Sequence, residues 1–121
     1  LVSPGATTEL LAAARQAPCP MLPGAATVSE AMQLMAQGFR HQKFFPAESA
    51  GGSAYLASLA SPLPQIKFCP TGGITPELAP KYLKLANVLT IGGSWMAPKN
   101  LVAAGDWAAI ERLAGEAARL K

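Results

Sequence analysis

The chain has 121 residues, half of them hydrophobic and 14% charged, the composition of one packed globular domain. No apolar run approaches the roughly 18 residues of a bilayer-spanning helix, and the opening LVSPGATTEL has neither the basic nor the hydrophobic part of an export signal, so a soluble cytoplasmic protein without a membrane partner is expected. The net charge of +3 comes from ten basic residues scattered singly, without the aromatic-interleaved patch that tracks a phosphate backbone, which argues against nucleic acid.

In chain order, Leu1-Val2 reads as the end of a strand that stops at SPG, and Thr7 or Thr8 can cap a helix running to about Ala17. MLPG ends a second apolar segment. Thr27 or Ser29 then caps a helix in which Val28, Met32 and Met35 recur at helical spacing before Gly38 stops it. A strand leads into KFFPA, and Gly51 or Gly52 opens a third helix with Tyr55, Leu56 and Leu59 on its apolar side, ending at Ser61-Pro62. QIKFC is a strand closed by PTGG. Pro76, favourable in a first turn, starts a helix to about Ala86 with Leu78, Tyr82 and Leu85 aligned. LTIGGS is a fifth strand end, and Trp107 to Leu120 a final helix.

Pro4, Pro23, Pro46 and Pro70 lie 19, 23 and 24 residues apart, and Gly93 follows 23 later, so one unit of strand, loop and helix repeats. Such alternation predicts consecutive βα units and a parallel sheet buried on both faces. A closed (β/α)₈ barrel takes roughly 200 to 250 residues, and about four and a half units are present here. Residues 1–121 are therefore expected to be the C-terminal portion of a single TIM-barrel domain, from the end of the fourth strand to the eighth, with strands one to three outside the sequence. An open flavodoxin-like sheet needs only five strands, but its first would have two or three residues.

Ligands of either architecture gather at the carboxyl ends of the strands, where the proline and glycine clusters fall. Strand alternation puts Lys43 and Phe45 on one side and Phe44 on the other, so if Phe44 packs on helices, Lys43 points into the barrel. Burial there lowers an ammonium pKa, as in lysines that attack carbonyl compounds as Schiff-base nucleophiles. On the other reading, Lys43 sits at a frayed strand start and snorkels to solvent or pairs with Glu48. Thr71-Gly72-Gly73 offers backbone N–H groups to an anion, with the next helix N-terminus adding partial positive charge. One repeat later, Gly92, Gly93 and the Ser94 hydroxyl do the same, and paired loops after the last two strands are the recurrent phosphate site of the barrel. No Walker or dinucleotide fingerprint occurs.

Cys19 and Cys69 sit in separate hydrophobic stretches and read as reduced core thiols, and His41 as a surface residue. The acids Glu9, Glu30, Glu48, Glu77 and Asp106 are dispersed at helix starts, so no metal site is expected. Glu48, just past the lysine strand, reads as a helix-cap acid or as a participant in proton transfer.

The motifs LVSPG, LPGAATVSE, KFFPAE followed by GG, FCPTGGI and IGGSW, in this order and spacing, resemble the 2-keto-3-deoxy-6-phosphogluconate (KDPG) aldolases, class I aldolases of the Entner–Doudoroff pathway. The resemblance covers essentially the whole chain. It implies a (β/α)₈ barrel assembled as a homotrimer, a phosphorylated keto-acid substrate and no cofactor. Lys43 takes the role of the Schiff-base lysine on the sixth strand. Phe45 walls the site, Pro4 lies near the pyruvate part, Thr71 orients substrate, and Gly72, Gly73, Gly93 and Ser94 form the phosphate loops. The family's acid/base glutamate and its carboxylate-holding arginine and threonine belong to the second and third strands, and Glu48 does not match that glutamate. Two alternatives stand beside an aldolase of this kind: a non-catalytic half-barrel that binds phosphate or only oligomerises, and a related keto-acid aldolase of different stereochemistry.

Overall fold

The computed structural model describes residues 1–120. Three parallel strands lie side by side in chain order, β1 (Gly24–Ala25), β2 (His41–Phe44) and β3 (Lys67–Pro70). Gly24 is in register with Lys43, and Lys43 with Cys69. Single parallel bridges extend the sheet at both edges, Val2 to Leu22 on one side and Phe68 to Val88 and Thr71 to Gly92 on the other. Five parallel segments thus follow one another as the repeat predicts, but the two outer ones are bridges rather than strands. At the first edge Pro4 follows at once and has no N–H with which to extend a ladder.

Helices fill the connections. α1 (Thr8–Ala14) is capped by Thr7, whose hydroxyl accepts from Leu10 N at 3.2 Å. It ends before Ala17 because Gln16 and Ala17 bond three residues back, and the residue ahead of Pro18 resists helical geometry. α2 (Val28–Ala36) starts in a capping box, Thr27 taking Glu30 N while the Glu30 carboxylate takes Thr27 N. Its buried side is Ala31 and Leu34, and Val28 and Met32 of the expected stripe are exposed. Gln42 decides this: its amide donates to the carbonyls of Ala31 and Phe39 at 3.0 and 2.9 Å, which seats the Ala31 side of α2 on β2.

α3 (Gly52–Leu59) buries Leu56 and Leu59, as expected. α4 (Ala79–Leu83) is shorter than its apolar pattern, since Pro76–Leu78 form a turn before it and Leu85 and Val88 bond three residues back after it. α5 (Lys99–Ala104) was not anticipated, although Pro98 before it and Gly105 at φ 66° after it are ordinary boundary residues. α6 (Trp107–Ala117) is capped by Asp106.

The core lies between the sheet and these helices, with Phe44, Phe68, Tyr82, Leu56 and Ile66 fully buried. Phe44 stacks on Tyr55 at 5.7 Å between centroids and meets Phe68 edge-on at 6.3 Å. The helices of this chain cover one face of the sheet. Gln42, Phe44, Phe68 and Pro70 are buried, whereas His41 and Lys67 are exposed and Lys43 and Cys69 half-buried. Val2 and Leu89, at the two edges, are each 64% exposed. Among the described residues no helix is long and apolar enough to cross a membrane.

Candidate active site

The backbone of the lysine segment is fixed on both sides: toward β1, Lys43 N donates to Pro23 O at 2.8 Å and Phe45 N to Ala25 O at 3.1 Å, and from the β3 side Thr71 N donates to Phe44 O at 2.9 Å. With Phe44 held in the core, alternation leaves Lys43 on the uncovered face. Its ammonium sits 4.7 Å from the centroid of the Phe45 ring, a cation–π contact that gives the side chain a preferred direction. Cys69, its register neighbour, is half-buried, and burial pushes its thiol pKa up while the Lys43 charge pulls the other way. The thiol stays protonated and is a weak competitor for an electrophile. Cys19, expected in the core, is exposed, and both cysteines are free.

The loop after β3 needs its glycines for two reasons. Gly72 and Gly73 have φ of 102° and 79°, the left-handed region that side chains disfavour. A Cβ on Gly72 would also stand 3.2 Å from the Phe45 ring, and one on Gly73 3.0 Å from Glu48 Cβ and Cγ. One strand over, the Thr71 methyl lies against Gly92 and the Trp95 ring against Gly93, where no Cβ fits. Thr71 Oγ1 is buried without a hydrogen-bond partner among the described residues. The N–H groups of Gly73, Gly93 and Ser94 likewise donate to no described residue, while that of Gly72 faces Gly92 across the Thr71–Gly92 bridge.

These groups converge. Phe45, Thr71, Gly72, Gly73, Gly93 and Ser94 share one open cleft of about 740 Å³, with Trp95 and Met96 also in its wall. Lys43 does not line it but adjoins it through Phe45, whose ring touches the ammonium and packs on Gly72. Pro4 is apart: it lines a second cleft with Gly24, Ala25 and Glu30, its carbonyl lying over Gly24. The expected contribution of a helix N-terminus behind Gly73 is not made, because the turn Pro76–Leu78 intervenes before α4. Any anion here meets backbone N–H groups and the Ser94 hydroxyl instead.

Glu48 is not a helix cap. α3 is capped by Gly51 with no side-chain bond, and the Glu48 carboxylate accepts from the Tyr82 hydroxyl instead. Sequence reasoning missed this pair, whose members are 34 positions apart. It also passed over Trp95, although an aromatic directly after IGGS was a usable signal. His41 is exposed at the start of β2, on the same face as Lys43. Among the described residues no three His, Cys, Asp or Glu side chains are grouped to hold a metal ion.

The family model described as KDPG and KHG aldolase matches residues 1–113. A 2-dehydro-3-deoxy-phosphogluconate aldolase of Pseudomonas aeruginosa is 48% identical over 117 residues, covering 97% of this chain and 53% of the relative. A KHG/KDPG aldolase of Escherichia coli is 49% identical over 116 residues, covering 96% and 54%. The chain spans about half the length of these curated relatives. Among solved structures, a KDPG aldolase from Legionella pneumophila, with pyruvate captured as a covalent carbinolamine, superposes with a TM-score of 0.91 at 43% identity, over 96% of this chain and 56% of that one. The corresponding enzyme of Zymomonas mobilis, with 3-phosphoglycerate, gives 0.85 at 47% identity, over 99% and 56%. A family model spanning residues 1–113, together with this level of identity and superposition, shows that the chain belongs to the KDPG and KHG aldolase family.

Proposed function

We propose that this chain supplies the Schiff-base lysine and the phosphate-binding loops of a class I aldolase that cleaves 2-keto-3-deoxy-6-phosphogluconate to pyruvate and D-glyceraldehyde 3-phosphate. Its five parallel segments form the end of the fourth to the eighth strand of a (β/α)₈ barrel, in a soluble cytoplasmic homotrimer, as the family resemblance implies. The observation that carries the proposal is the Phe45 ring, which touches the Lys43 ammonium and packs on Gly72 of the cleft loop. A substrate with a ketone at one end and a phosphate at the other needs such adjacency. The carbinolamine of pyruvate in the Legionella relative and the 3-phosphoglycerate in the Zymomonas relative match the two ends chemically.

In this scheme the neutral Lys43 amine adds to the C2 ketone, and loss of water leaves a protonated imine. Removal of the C4 hydroxyl proton then breaks the C3–C4 bond. The bonding pair passes into the imine, giving an enamine and free D-glyceraldehyde 3-phosphate. Protonation of the enamine at C3 and hydrolysis return pyruvate and the lysine. The proton-transferring and carboxylate-holding groups are those the resemblance assigns to the second and third strands. Phosphate held by Gly72, Gly73, Gly93 and Ser94 supplies remote binding energy that positions the reacting carbons.

Steady-state cleavage by the intact protein tests this. Lys43→Met is expected to abolish release of pyruvate from the phosphorylated substrate. Ser94→Ala is expected to raise KM several-fold to about tenfold, the loss of one hydrogen bond. Cleavage surviving in Lys43→Met would refute the assignment, and phosphate binding without cleavage in the wild type would favour a non-catalytic half-barrel.

A further inference from the structure

The segment leaving the lysine strand is bound to the anion loop by more than proximity. Ala47 N donates to Thr71 O at 2.8 Å and Glu48 N to Gly72 O at 3.1 Å, so the backbone after Phe45 runs alongside the loop. The Glu48 stem packs where a Gly73 side chain would be, and its carboxylate accepts from Tyr82 Oη. Gly52, at the start of α3, sits beside both groups, since a Cβ there would lie 3.5 Å from Glu48 Oε1 and 3.6 Å from Tyr82 Oη. Tyr82 is 1% exposed, and burial first, then the hydrogen bond and charge of Glu48, raise its phenol pKa far above the usual tyrosine range. The hydroxyl is the donor to the Glu48 carboxylate. Glu48 is absent from the wall of the cleft, its Oε1 being engaged by α4.

We infer that Glu48 and Tyr82 form a bracket that holds the Gly72–Gly73 loop in its anion-binding conformation beside Lys43. Glu48 is in this sense a positioning residue. The inference rests on the phosphate-loop assignment above and adds to it what keeps a loop of two left-handed glycines in place. Two such glycines have many alternative conformations, and the following helix starts too late to pin them. Fixing the loop before the anion arrives removes an ordering cost from binding.

The sign of one effect separates this from simple charge. Removing a carboxylate near an anion site should by Coulomb's law tighten binding, whereas removing the bracket should weaken it. Binding of inorganic phosphate by the intact protein, followed through the Gly72 and Gly73 amide resonances, reads this directly. Glu48→Ala and Tyr82→Phe are each expected to weaken phosphate by about tenfold, one lost hydrogen bond with its positioning. Glu48→Gln, which keeps an acceptor for the phenol and drops the charge, is expected to bind as the wild type does or more tightly. Reductive trapping of pyruvate on Lys43 is expected to be equal in all four proteins, since pyruvate carries no phosphate. Tyr82→Phe removes only the hydroxyl, so its effect is separable from a folding failure of Glu48→Ala. Unchanged or tighter phosphate binding in Glu48→Ala and Tyr82→Phe would overturn the bracket, as would a wild type that binds no phosphate at this loop. A wild type that binds phosphate in the expected pattern but traps no pyruvate would refute the aldolase proposal and leave the bracket standing.

Discussion

At Gly72, backbone conformation and crowding make the same demand, and this can be measured. With φ of 102° and the Phe45 ring 3.2 Å from any added Cβ, Gly72→Ala is strained in the folded state and pushes on the wall beside Lys43. A loss of about 1 to 3 kcal/mol in urea unfolding is expected. Gly5→Ala serves as the control, because nothing lies within 4 Å of its added Cβ, and a change within about 0.5 kcal/mol is expected. Much of the residue-level picture was legible beforehand. Period-two alternation put Lys43 and Phe44 on opposite faces, and paired glycines one repeat apart marked the loops that line the cleft. The Glu48–Tyr82 contact was not legible, since a bond across 34 positions leaves no local pattern. Nor was the position of Pro4, exposed beside the Val2–Leu22 bridge with its carbonyl over Gly24.

Among the elements, α2 is the one whose boundary chemistry is complete. Thr27 accepts from Glu30 N at 3.2 Å, and the Glu30 carboxylate takes Ala26 N and Thr27 N at 2.7 and 3.0 Å. Thr27→Ala is expected to cost about 1 kcal/mol. The bond from Ala26 N, opposed by a smaller desolvation and aided by Thr27, holds the Glu30 pKa below its ordinary value. A depressed folded-state pKa means its stabilisation is present above the unfolded value of about 4.3 and is lost as pH falls through the lower folded one. Melting curves taken from neutral pH downward should show a smaller acid-induced decline for Glu30→Gln than for the wild type; parallel curves would refute the linkage. Sequence signals located this helix because a cap and a glycine stop are local. They misjudged its buried side, because hydrophobicity favoured Val28 and Met32 whereas Gln42 bonds the carbonyl of small Ala31. The same locality explains α4, where the apolar spacing of Leu78, Tyr82 and Leu85 extends beyond a helix whose ends are three-residue turns.

For the molecule as a whole, the repeat of proline and glycine loops fixed the order and direction of five parallel segments, because each unit pairs with its sequence neighbour. Alternation separated Lys43 from Phe44 but did not say which of the two the helices cover; that follows from Phe44 being buried in the core while Lys43 is half-buried. The covered face carries the stability. Phe44 joins Tyr55 of α3 to Phe68 of β3, so Phe44→Ala is expected to cost about 3 to 5 kcal/mol in denaturant unfolding. The uncovered face carries Lys43, and the proposed chemistry depends on that separation of roles. Incubating the protein with pyruvate, reducing with borohydride and mapping the modified peptide by mass tests it most directly. A single adduct on Lys43 is expected, absent when Lys43 is replaced by methionine. An adduct on any other lysine, or none at all in the intact protein, would contradict the assignment of Lys43 as the Schiff-base residue.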